Sequence, residues 1–280
     1  MELLTILKHN RARINRRSFC AIAGGTVVSL AISTACRRSW SNLPSDGKLK
    51  ARPHSGTGVP LVDHAQDARA TPNGNSSPGK PINLGLDRER DAFLYVPKSA
   101  PKSPLPLLLF LHGATQSADD MFWYLDSAPD ETGVTILAPN SRDTTWDAIT
   151  GSFGPDVDFL NRALERTFET VAIDPARVAI GGFSDGATYA ISLGLINGDF
   201  FKRVAAFSPG FIIDGAAQGK PGFFISHGTR DHILPIDRCG RRIAADLKTR
   251  GYQVTFREFA GDHEIPADVM REGLRWVANA

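Results

Sequence analysis

The sequence predicts a single α/β domain built around a mostly parallel sheet with helices on both faces. Two patterns carry this reading. Short continuous apolar runs, such as Leu105–Leu111 (LPLLLFL) and Arg203–Phe207 (RVAAF), suit strands covered on both sides. Between such runs lie stretches whose apolar residues recur at three- and four-residue steps, the period of a helix packed by one face. This alternation is the signature of strands joined by helical crossovers. With 42% hydrophobic and 22% charged residues, the composition is that of an ordinary globular protein.

In chain order, the strand candidates are Ala92–Val96, Leu105–Leu111, Val134–Ala138, Val178–Gly181, Arg203–Phe207, Gly222–Ile225 and Gln253–Phe259. The helical stretches are Val157–Val171, Asp185–Leu195, Arg238–Arg250 and Pro266–Val277. In the first of these, Phe159, Leu160, Leu164, Phe168 and Val171 fall on one face. The domain expected from this pattern spans 83–280.

Two segments precede it. Residues 1–36 place Lys8, Arg11, Arg13, Arg16 and Arg17 before an apolar run from Phe19 to Ala35, the pattern of an export signal. The run is short and carries Gly24, Gly25, Ser29 and Ser33, which argues against a membrane span. Asn15-Arg16-Arg17-Ser18-Phe19 resembles a twin-arginine signal. Ser33-Thr34-Ala35 reads as a cleavage site; Ser33-Thr34-Ala35-Cys36 reads equally as a lipoprotein box in which a lipidated Cys36 would tether the chain to a membrane, although Ser33 stands where a leucine is usual. The expected location is therefore periplasmic or secreted. Residues 37–82, rich in Ser, Pro, Gly and Asn, cannot bury enough apolar surface to offset ordering, and read as a flexible linker.

The net charge of +2 is too small for a nucleic-acid footprint, and its basic surplus sits in residues 1–36. Of three cysteines only Cys239 lies in the expected domain, so no disulfide within it is expected. No Cys/His spacing resembles a zinc site, and neither a metal nor a cofactor is expected.

Ligands of such sheets bind at the carboxyl ends of the strands, and the chemically unusual residues fall there. After the strand ending at Gly181 comes Gly182-Phe183-Ser184-Asp185-Gly186, followed at once by a helical pattern. A sharp strand-to-helix turn would project the Ser184 hydroxyl from the sheet edge, with glycines where the chain passes too close for a side chain. A Gly-rich turn capped by a serine is the plainer alternative. A serine nucleophile needs a neighbouring base. Outside the leading segments the histidines are His112, His227, His232 and His263.

Leu111-His112-Gly113, Gly182-Phe183-Ser184-Asp185-Gly186, His227-Gly228-Thr229-Arg230-Asp231 and Gly261-Asp262-His263-Glu264 together resemble the serine-esterase branch of the α/β-hydrolases, over about residues 90–280. Within it, the chain is similar to the phospholipase/carboxylesterase group and to the polyhydroxyalkanoate-depolymerase and feruloyl-esterase group. The resemblance implies the chain order serine, acid, histidine. That points to Ser184 as nucleophile, His263 as base and Asp231 as the orienting acid, with Asp214 and Asp237 as rivals for the last role. It implies an oxyanion hole from the backbone N–H of Asp185 and of Ala114, with Thr115 as the alternative donor. His112 is expected to support that loop, and His112, Thr115, Trp123 and Trp146 are candidates for lining the substrate pocket. Many relatives carry glycine where Asp262 stands. The short spacing between the sixth and seventh strands leaves little room for a cap domain.

The expected activity is hydrolysis of a small-molecule or lipid-like carboxylic ester through an acyl-enzyme. A polyester depolymerase, feruloyl-type esterase or serine peptidase would use the same residues. The reading from another class is an inactive binding protein on this fold, whose mark would be loss of the serine or histidine; both are present here.

Overall fold

The central strands carry apolar side chains on both sides, and each side builds its own core. The computed structural model describes residues 79–98, 100 and 103–279. The export signal expected over 1–36, with Cys36, and the linker expected over 37–82 as far as residue 78 lie outside the described residues. Eight strands form one sheet: β1 (Ile82–Asn83), β2 (Ala92–Tyr95), β3 (Leu105–Leu111), β4 (Thr135–Pro139), β5 (Ile173–Phe183), β6 (Arg203–Phe207), β7 (Gly222–Gly228) and β8 (Val254–Phe259). Their spatial order is β1-β2-β4-β3-β5-β6-β7-β8. Strands β1 and β2 pair antiparallel, and every pairing from β4 to β8 is parallel.

The helices are α1 (Ala118–Leu125), α2 (Ala128–Thr132), α3 (Asp147–Thr150), α4 (Pro155–Thr170), α5 (Asp185–Ile196), α6 (Gly240–Thr249) and α7 (Ala267–Ala278). Leu105, Leu107, Leu109 and Leu111 of β3 point to the side covered by α4, α5 and α6. Leu108 and Phe110 point to the side covered by α1, α2 and α7. The alternation follows from the two-residue period of a strand. Each large side chain so buried contributes about 1.5–3 kcal/mol. Every residue of α5 is buried, which accounts for its lack of a polar face.

The seven expected strands and four expected helices are all present, Leu105–Leu111 and Arg203–Phe207 with the expected ends and the others with shifted ends. Strand β5 starts at Ile173 rather than Val178, because the pairing with β3 continues past a register shift between Leu105 and Leu107. Strand β7 runs on to Gly228 and so carries His227. Three helices, α1 to α3, and the edge strand β1 were not legible as periodic runs. Helix α1 does announce itself by Ser117 and Asp120, whose carboxylate accepts the Ser117 N–H at 2.7 Å, a capping box. The domain also begins ahead of the expected boundary at 83: the Gly79 N–H donates to Val96 O (2.9 Å), and Ile82 pairs with Leu94. No helix interrupts residues 208–221 between β6 and β7, so no cap is inserted there.

The pairing brings the carboxyl ends of the central strands to one edge. Leu111 of β3 stands beside Gly182 of β5, Phe183 beside Phe207 of β6, and Gly228 of β7 beside Phe259 of β8. The loops leaving this edge hold the chemistry.

Candidate active site

Ser184 links β5 to α5 with φ 55° and ψ −116°, a conformation that L-residues rarely adopt. Such strain typically costs about 1–3 kcal/mol and persists only where the surroundings enforce it. Here they do. The Ser184 N–H donates to Phe207 O at 3.0 Å, and the Thr188 N–H donates to Ser184 O at 3.0 Å. A Cβ on Gly182 would lie 2.6 Å from the Gly186 carbonyl, and one on Gly186 would lie 2.2 Å from Leu111 O. The two glycines therefore let the turn fold against β3.

The Ser184 hydroxyl lies 2.9 Å from Nε2 of His263, and His263 Nδ1 lies 2.7 Å from Oδ2 of Asp231. A carboxylate only accepts, so Nδ1 carries the proton and Nε2 presents its lone pair to the serine. The Asp231 side chain is wholly buried. Its Oδ1 accepts the N–H of Ile233 (3.0 Å) and of Leu234 (2.7 Å). His227 Nε2 lies 3.2 Å from Asp231 Oδ2 and 2.7 Å from Leu234 O. Two acceptors at one nitrogen assign the His227 proton to Nε2. Burial pushes the Asp231 carboxyl up, but the hydrogen bonds from His227 and His263 outweigh it and hold the group well below the usual carboxylate range. Asp214 is exposed and Asp237 pairs with Arg241 at 2.7 Å, so neither rival meets His263.

The loop after β3 is braced from behind. His112 is completely buried; its Nδ1–H donates to Gly113 O (2.8 Å) and its Nε2 accepts the Ser141 N–H (3.0 Å). Burial pushes its pKa down to about 4, so the ring is neutral at neutral pH. Trp146 Nε1 donates to His112 O at 2.8 Å. Gly113 N–H donates to Gln116 Oε1 (2.9 Å), Gln116 N–H to Gly113 O (3.2 Å) and Thr115 N–H to Thr144 O (2.7 Å). The Thr115 amide, the alternative oxyanion donor, is thus spent, and the Ala114 N–H is left unused in this network. The Asp185 N–H opens α5 and has no intrahelical acceptor.

The expected pocket residues separate into two kinds. His112 and Trp146 are both fully buried, with ring centres 5.0 Å apart and planes tilted by 39°, so they support the loop and do not line a substrate space. Thr115 is exposed, with φ 62°. Trp123 is 80% exposed and begins an aromatic series: it contacts Tyr124 (5.2 Å between ring centres), Tyr124 contacts Phe183 (5.3 Å), and Phe183 contacts the His263 ring (4.8 Å).

Several functional neighbours were not legible in the sequence. The Thr145 hydroxyl donates to Asp185 Oδ2 at 2.6 Å. Asp156, buried at 1% exposure, accepts the N–H of Arg142 (2.5 Å) and of Asp147 (2.6 Å), and thereby ties the Thr144–Trp146 segment to α4. Burial pushes its pKa up to about 6. No local pattern marks these residues, because their partners lie far along the chain. His227 stands four residues before Asp231, and the two meet because β7 extends to Gly228 and carries His227.

An antiparallel β2, parallel strands from β4 to β8 and a strained serine between the fifth strand and its helix define the α/β-hydrolase fold, and the chain has that fold. Residues 157–278 match the family described as phospholipase/carboxylesterase. The chain is 29% identical over 164 residues to NocK of Nocardia uniformis subsp. tsuyamanensis, described as an esterase, covering 54% of this chain and 47% of that one. It is 32% identical over 135 residues to a poly(3-hydroxybutyrate) depolymerase of Ralstonia pickettii, covering 40% of this chain and 27% of the relative. The matches thus span less than half the length of either relative. Among solved structures, the fluorophosphonate-binding serine hydrolase FphF of Staphylococcus aureus shares the fold, with a TM-score of 0.58, 16% identity, and coverage of 73% of this chain and all of that one (100%).

Proposed function

We propose that this chain is a serine carboxylic-ester hydrolase working through an acyl-enzyme. The observation that carries the reading is the continuous relay from Ser184 Oγ to His263 Nε2 (2.9 Å) and from His263 Nδ1 to Asp231 (2.7 Å). In this reading, His263 takes the serine proton as Oγ attacks the ester carbonyl carbon. The carbonyl π electrons move onto oxygen, and the N–H groups of Ala114 and Asp185 hold that oxyanion; such a donor typically contributes about 10²–10³ in rate. The imidazolium is stabilised by the Asp231 carboxylate. It returns the proton to the leaving alkoxide oxygen as the C–O bond breaks. Water, deprotonated by the same ring, then releases the acid and restores Ser184. Asp231 suits its part because its environment favours the charged form.

The absence of an inserted segment between β6 and β7 favours an open site. Trp123 and Thr115 stand at its exposed rim as candidate substrate contacts. Residues 1–36 support action outside the cytoplasm, either released or held by lipid on Cys36. The test is covalent labelling by a fluorophosphonate probe, with turnover of a panel of acyl esters, aryl esters, thioesters and amides. Labelling that is lost in Ser184→Ala is the expected result. An unlabelled wild-type chain overturns the catalytic reading and returns the inactive binding protein.

A further inference from the structure

The loops that present Asp231 and His263 are joined a second time, by their neighbours in the chain. His232 follows Asp231, and Asp262 precedes His263. Their side chains meet in the opposite sense: His232 Nδ1 lies 2.7 Å from Asp262 Oδ1. The same oxygen accepts the backbone N–H of His263 (2.8 Å) and, at longer range, that of His232 (3.3 Å). One carboxylate oxygen thus gathers the main chain at the proposed base and the main chain beside the proposed acid. Beneath it the loops already lie close. The Arg230 N–H donates to Gly261 O at 2.9 Å, and a Cβ on Gly228 would fall 2.2 Å from Asp262 O.

We propose that Asp262 is a positioning residue, whose Oδ1 clasps the two loops and sets the register of His263 against Asp231 and Ser184. The proposal rests on the esterase reading above. As an ion pair the clasp contributes little to stability, because the His232 and Asp262 side chains are 71% and 48% exposed. Its effect is geometric. It acts on the backbone of a residue whose ring must satisfy two hydrogen bonds at once, and small misplacements at reacting groups lower rates steeply. The acceptor role, not the charge, is what the backbone requires. Asparagine keeps a side-chain oxygen at this position, whereas alanine removes it.

The experiment compares Asp262→Ala, Asp262→Asn and His232→Ala in the full chain by steady-state kinetics on an ester, by thermal unfolding, and by the far-downfield proton resonance of the His263–Asp231 hydrogen bond. For Asp262→Ala, kcat is expected to fall about tenfold with KM changed by less than about twofold, as for loss of alignment without loss of binding. Asp262→Asn is expected to stay within about threefold of wild type, and His232→Ala to fall between the two. The downfield resonance weakens in Asp262→Ala and persists in Asp262→Asn. If Asp262→Ala fails to fold, His232→Ala, which removes one anchor of the same clasp, decides by the same measures. Unchanged kcat in all three variants, or equal losses for alanine and asparagine, overturns the proposal. The resonance is read without turnover. A chain with no Ser184-dependent hydrolysis therefore fails the esterase reading, while the resonance still decides the clasp.

Discussion

Thr145 donates a 2.6 Å hydrogen bond to the carboxylate of Asp185, across 40 residues of chain. This bond connects the segment behind the β3 loop to the first residue of α5, whose N–H is proposed to face the oxyanion. Burial pushes the Asp185 pKa up, and the Thr145 hydroxyl opposes that push. Valine at 145 keeps the shape and removes the donor. A buried acceptor left unpaired typically costs about 1–3 kcal/mol. Thr145→Val is expected to lower unfolding free energy by about 2 kcal/mol and to reduce kcat/KM on any ester that the wild type cleaves. Urea unfolding and steady-state kinetics check both. A variant matching wild type in stability and rate would remove the bond from the account.

Gly186→Ala poses a contest between two effects. Alanine in a helix is favoured over glycine by about 1 kcal/mol. Its Cβ, however, would sit 2.2 Å from Leu111 O and 2.5 Å from His112 O, both main-chain atoms that cannot swing aside. Overpacking of this kind typically costs about 1–3 kcal/mol and more where backbone must move. The clash should win, giving a net loss of at least about 1 kcal/mol in urea unfolding and lower fluorophosphonate labelling of Ser184. A stabilised variant would show that β3 and the elbow are not so tightly apposed.

Asp156 should give stability a distinctive pH slope. Burial raises its pKa from 3.8 to about 6 in the folded protein. Between these values the folded chain holds more protons than the unfolded chain, so this group's contribution falls as pH rises and is fully lost above about pH 6. The change across the window is at most about 3 kcal/mol. Asp156→Asn removes it. The stability of wild type relative to Asp156→Asn should therefore decline from about pH 4 to about pH 6.5 in urea unfolding. A flat difference would mean that the site holds a charged carboxylate throughout.

Much of this arrangement was legible in the sequence. The runs at Leu105–Leu111 and Arg203–Phe207 are apolar at every step, because both sides of these strands are covered. The elbow could be read from Gly182-Phe183-Ser184-Asp185-Gly186 because each glycine answers a local crowding. Helices α1 to α3 carry no sustained period because they are short, and burial of a few side chains decides them. The pocket expectations for His112 and Trp146 failed for a related reason. Residue type places an aromatic near a site, but only packing decides whether it faces a ligand or the core.

By itself the sequence determined a parallel α/β sheet, a serine at a strand-to-helix turn, and a histidine and aspartates downstream in serviceable order. Those properties are local: apolar period, turn chemistry and chain order. Only the tertiary structure decided that Asp231, rather than Asp214 or Asp237, meets His263, that Ala114 rather than Thr115 keeps its N–H unspent, and that Thr145, His227 and Asp262 stand around them. These choices depend on register between strands and on contacts between residues distant in the chain. Hydrogen-bond distances of 2.7 and 2.9 Å leave no margin for a slip of one residue in either.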